Sequence, residues 1–234
     1  NGSSMILKPI IEYYRQSGEF RSLPDILTSR PGGALIEGVT PASFPLIAAS
    51  LFHEKPGQMI VVTEQYQKMT EAYLDLSAMV DENVLFTFPP WETLPYEFVS
   101  PPEKTERERI TALYRLMRGE PALVVTTVES LVRKIPPRGF LEQKGVSLVT
   151  GGEYGFDDIV GLLSSYGYTR EKRVDTFGQF AVKGGIVDVF PPSHENPLRF
   201  DFFGDTLDSI REFDLASQVS RGPIESAVIY PRQE

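Results

Sequence analysis

The chain has 234 residues, 41% of them hydrophobic, and a formal charge of −9, so it holds apolar material for one large core or two modest ones, while the acidic balance has the wrong sign for a domain that grips nucleic acid through phosphate neutralisation. Zero cysteines exclude disulfides, thiolate metal sites and cysteine nucleophiles, and two histidines, His53 and His194, leave little for a metal centre. The sequence shows neither an apolar run of membrane-spanning length nor a basic-then-apolar leader, which reads as a cytoplasmic protein with no membrane partner.

Residues 1–4, ahead of Met5, read as a cloning remnant and carry no fold information. From Ile6 to Arg15 the apolar residues fall at helical spacing, and Pro31-Gly32-Gly33 then leads into a short buried strand expected at Ala34–Ile36. A helix over about 42–52, a strand over 59–62, a helix over about 64–79 and a strand over 84–86 follow. After a connector rich in proline and aromatic residues, 88–102, come a charged helix to about Arg118, a strand over 122–126 and a short helix ending before Pro136-Pro137. Strands alternating with helices predict an α/β domain over 5–137 with a parallel sheet.

Beyond Pro137 the rhythm changes. One helix, about 156–166, precedes glycine-punctuated strand runs at 182–189, 198–203 and 207–213, which predicts a smaller α+β domain over 138–234. Phe203-Gly204-Asp205-Thr206 reads as a hairpin, because Gly204 can adopt the positive φ of a tight turn. Gly184-Gly185, inside the first run, suggests a bulge or a close backbone approach.

The segment Gly38 to Pro45 sits where a strand, a glycine turn and a helix would form a P-loop, G-x-x-x-x-G-K-[ST]. In that register the second glycine is Ser43, the lysine is Phe44 and the magnesium-binding hydroxyl residue is Pro45. Prolines 41 and 45 remove amide donors, and Phe44 places a ring where phosphates need a cation. The same residues also fit a plain strand-to-helix turn using Gly38, with Pro41 early in the helix. On either reading the loop is not expected to bind ATP.

The stretch Phe88-Pro89-Pro90-Trp91-Glu92-Thr93-Leu94-Pro95-Tyr96-Glu97, with Ser100-Pro101 behind it, resembles the signature of the bacterial transcription-repair coupling factors. Blocks 109–116, 124–131 and 133–137 follow in the family's order. Gly167-Tyr168-Thr169-Arg170, the run 178–191 and the run 199–205 resemble the region that this family shares with the excision-repair protein UvrB.

The resemblance implies a helicase-like, P-loop-NTPase-type first domain with a degenerate phosphate loop (Gly38, Ser43, Phe44, Pro45), followed by a UvrB-like second domain. It implies a non-catalytic module that recruits UvrA, with Arg170 and Lys183 as contacts, Phe190 close by and Arg199 as a further candidate. Lys183 stands where the family usually has Arg, and lysine keeps the charge but loses the bidentate fork.

RNA polymerase and DNA would be partners through other parts of a parent protein, and ATP with Mg²⁺ would sit in its motor domains, leaving no cofactor and no catalytic or metal residue here. The fragment is expected to be monomeric. An ATP-dependent DNA-handling enzyme of the UvrB or helicase type is the alternative. On their own, Arg170 and Lys183 also fit solvated sheet positions, Phe190 fits a core, and Trp91 with Tyr96 fits a packed connector.

Overall fold

The computed structural model describes residues 7–29, 33–91 and 103–232, and the chain divides into two compact units, residues 1–134 and 135–234. In the first unit, α1 (Lys8–Arg15), α2 (Gly18–Arg21) and α3 (Leu23–Ser29) precede α4 (Ser43–Glu54). Then come β1 (Gln58–Thr63), α5 (Tyr66–Ser77), β2 (Leu85–Phe88), α6 (Glu103–Met117), β3 (Ala122–Thr127) and α7 (Val128–Val132). The three strands form a parallel sheet in the order β1-β3-β2, with Ile60 beside Val124 and Val124 beside Phe86.

The central β3, Ala-Leu-Val-Val-Thr-Thr, is buried at every position, as a strand covered on both faces must be. On one face Ala48, Ala49, Phe52, Met69, Ala72 and Leu76 of α4 and α5 pack over Val61, Leu85, Leu123 and Val125. Helix α6 buries Ile110, Leu113, Tyr114 and Met117.

The strand expected at Ala34–Ile36 does not form. Leu35 is 85% exposed, and the segment joins no sheet among the described residues. Three apolar residues cannot hold an extended conformation without a ladder beside them, because each ordered residue costs roughly 1–2 kcal/mol of backbone entropy.

The second unit contains α8 (Arg138–Gln143), β4 (Val146–Val149), α9 (Phe156–Ser165), β5 (Thr169–Glu171), β6 (Gln179–Lys183), β7 (Ile186–Val189), β8 (Leu198–Phe203), β9 (Thr206–Phe213), β10 (Ser220–Ile224) and β11 (Ser226–Ile229). Strands β5 to β10 form one sheet in chain order, and β11 pairs with β4 in a separate ribbon. The inner sheet face presents Phe180, Val187, Val189, Leu198, Phe200 and Ile210 to Leu148, Ile159, Leu163, Ala227 and Ile229.

The run read as one strand over 182–189 is a hairpin. Lys183 pairs with Ile186, and Gly184, at φ +61°, turns the chain. The close approach expected at the glycine pair is present, since a Cβ on Gly185 would lie 2.6 Å from the Phe202 carbonyl oxygen. The hairpin at 203–206 forms as expected, with Phe203 opposite Thr206 and Gly204 at φ +61°. Its Asp205 Oδ1 accepts the Phe156 N–H at 3.0 Å, tying the turn to the start of α9. Among the described residues no helix is long and apolar enough to cross a membrane.

Candidate functional site

Two regions carry the residues singled out above. At the first, Gly38 takes φ +75° and a reciprocal cap closes the turn. The Thr40 N–H donates to Ser43 Oγ at 2.9 Å and the Ser43 N–H to Thr40 Oγ1 at 3.2 Å. The Ser43 and Phe44 amides also donate to the Thr40 carbonyl, both at 3.1 Å, and Pro45 has no N–H. The donors that a helix start offers an anion are therefore spent inside the turn.

Beside it lies an open cavity of about 450 Å³ lined by Thr40, Phe44, Thr63, Lys68, Glu71 and Asp75. Its one lysine is bonded to Glu71 Oε2 at 2.7 Å, and that bond raises the Lys68 pKa and lowers that of Glu71. With Lys68 and Glu71 paired, Asp75 leaves the wall net acidic. Among the described residues no three His, Asp or Glu side chains gather to hold a metal.

The second region is the outer face of the six-stranded sheet. Residues alternate between faces along a strand, so the ladder Lys183, Ile186, Asp201, Ser209 lies on the face opposite Val182 and Val187. Two positions along runs the ladder Ala181, Asp188, Arg199, Arg211. Arg199 grips Asp188 with both ends of its fork, Nε to Oδ1 at 2.7 Å and Nη2 to Oδ2 at 2.8 Å. Its Nη1 donates to Ser220 Oγ at 3.1 Å, and its guanidinium lies over the Phe213 ring. The hydrogen bond to Asp188 raises the Arg199 pKa above its ordinary value. Arg211 Nη2 donates to Asp201 Oδ2 at 2.6 Å.

Arg199 thus spends its guanidinium on partners within the sheet, with 20% of its side chain exposed. Phe190 takes the core position that its sequence also allowed, being 3% exposed with its ring edge-on to Phe177. Arg170 and Lys183 are exposed, and neither forms an ion pair among the described residues. They do not share a face. Arg170, on edge strand β5, stands beside Phe180, whereas Lys183 lies three residues along β6, on the other side of the pleat.

The Trp91 ring lies 4.7 Å from the Arg109 guanidinium of α6, while Tyr96 and most of the connector motif lie outside the described residues. The sequence reading missed the outer-face pairs of Asp188 and Asp201, because a cross-strand partner is visible only once the register is known. It also missed the exposure of Phe203, for which the hairpin at 203–206 was the available signal.

Residues 146–234 match the UvrB interaction domain family. A transcription-repair-coupling factor of Mycobacterium tuberculosis is 34% identical over 219 residues, covering 90% of this chain and 17% of that protein. Those of Escherichia coli and Bacillus subtilis are 28% and 26% identical over 86% and 95% of the chain, which spans 17% and 19% of their lengths. Its second unit matches the UvrB interaction domain, and nine-tenths of its length is similar to these transcription-repair-coupling factors, of which it spans less than one fifth.

Proposed function

We propose that this chain is the UvrA-recruiting module of a transcription-repair coupling factor and performs no catalysis of its own. The observation that carries the reading is the coincidence of the UvrB interaction domain with a sheet whose rim holds two exposed cations, Arg170 and Lys183, without intramolecular ion pairs among the described residues. Because the two sit on opposite sides of the pleat, a partner that meets both laps over the short edge strand β5. Polymerase and DNA would be engaged by other parts of the parent, since the chain spans 17% of the relatives' length.

The first unit is read as a helicase-like domain whose phosphate loop has decayed at Gly38, Ser43, Phe44 and Pro45. The amides of Ser43 and Phe44, already bonded to Thr40, support that reading, as does the acidic cavity wall. Co-elution of the chain with purified UvrA on size exclusion tests the proposal. Arg170→Ala and Lys183→Ala should each weaken capture while leaving the melting temperature unchanged, because exposed cations add little to stability. Wild-type retention by both variants would remove this edge of the sheet as the contact.

A further inference from the structure

Phe203 is 85% exposed, although an aromatic ring at the end of a strand ordinarily packs onto its sheet. It closes the β8–β9 hairpin opposite Thr206, immediately after the irregularity between Asp201 and Phe202. Phe202 turns inward, its ring edge-on to Phe156 with centroids 5.4 Å apart, so alternation sends Phe203 to the outer face that also carries Lys183 and Ile186.

The two hairpin tips are fastened to each other. The Phe202 N–H donates to the Gly185 carbonyl at 2.8 Å, and Gly185 admits that approach only because it has no side chain. Lys183 and Phe203 are therefore held in a fixed relation, two strand spacings across and two residues along, roughly 12 Å apart, with half-buried Ile186 on the strand between them. The neighbouring Arg211 and Asp201 neutralise each other, so the free charge of the row is the Lys183 ammonium.

We infer that Phe203 is the apolar anchor of the UvrA-docking surface marked by Lys183, and that UvrA meets this face with a carboxylate for the lysine and an apolar pocket for the ring. This rests on the UvrA reading above. The ring and the charge divide the work. A desolvated aromatic anchor holds a complex together and sets dissociation, whereas an exposed charge steers encounter and sets association and its salt dependence.

The test is binding kinetics of the chain on immobilised UvrA. Phe203→Ala should speed dissociation by roughly tenfold or more while association changes less than about twofold, with Phe203→Leu in between. Lys183→Ala should slow association and flatten its dependence on salt. Unchanged dissociation for Phe203→Ala, with Lys183→Ala still weakened, overturns the anchor and leaves UvrA docking intact. If both variants bind like the wild-type chain, or if that chain does not bind UvrA, the docking reading itself fails. The melting temperature of Phe203→Ala should match the wild type, which separates loss of an anchor from loss of fold.

Discussion

Arg199 and Asp188 face each other across β8 and β7 with both guanidinium ends on both carboxylate oxygens, and this pair joins the two strands on the outer sheet face. Both side chains are largely sheltered, at 20% and 15% exposure, so removing one leaves a partly desolvated charge without its partner. Arg199→Ala is expected to cost about 2 kcal/mol, a fall of roughly 10 °C in the melting temperature of a unit this size. Lysine should not rescue it, since an ammonium cannot form the parallel pair of bonds. Thermal denaturation of the two variants checks this, and full stability in Arg199→Ala would show that the pair does not hold the two strands together.

Local signals were legible wherever one element buries its own pattern. The run Ala-Leu-Val-Val-Thr-Thr announced a two-sided strand, and 198–203 alternated cleanly enough to be read to the residue. What could not be read depends on partners distant in sequence. Val146–Val149 pairs with Ser226–Ile229 some eighty positions on, and nothing in either tetrapeptide encodes the other. Ala34–Ile36 looked like a strand by composition, yet a strand needs a neighbour. Arg199 and Lys183 were indistinguishable as cations on strands, and only the register shows that Asp188 stands beside the first while Lys183 faces Ile186.

Arg109 is fully buried on α6, its Nη1 donating to the Pro89 carbonyl at 2.7 Å and its guanidinium 3.9 Å from the Phe88 ring centroid and 4.7 Å from that of Trp91. The side chain thereby pins the start of the connector to α6 through stacking that a planar cation supplies. Arg109→Ala is expected to destabilise the chain by about 3 kcal/mol and to shift the emission of Trp91, the sole tryptophan, to the red as its ring gains water. An unshifted spectrum in a folded variant would mean that the connector holds its place without the arginine.

Asp214 organises the turn before β10. Its Oδ1 accepts the Ser217 N–H and Oγ–H, both at 2.9 Å, and the backbone bond leads the causes that lower its pKa. A carboxylate depressed in the folded state contributes stability that is present above the unfolded value, about pH 4, and lost as pH falls through the lower folded value. The Ser217 amide shift should therefore titrate with a midpoint below pH 4, and Asp214→Asn, which keeps an acceptor oxygen but no charge, should abolish that transition. A midpoint at or above pH 4 would show that the bonds do not favour the ionised form.

Phe44 stands at the mouth of the cavity beside the turn after Gly38, so Phe44→Lys restores the one cation that a phosphate loop most visibly lacks. Charge alone is not expected to suffice. The amides of Ser43 and residue 44 remain bonded to Thr40, Pro45 still has no donor, and Glu71 and Asp75 offset the charge of the two lysines. A phosphate entering there would have to break the Thr40–Ser43 cap, worth about 1 kcal/mol, and would gain no cradle in return. Neither the wild-type chain nor Phe44→Lys should bind a fluorescent ATP analogue saturably with Mg²⁺. Binding by the variant alone would place the whole defect in one side chain, and binding by the wild type would restore the ATP-dependent reading of the first unit.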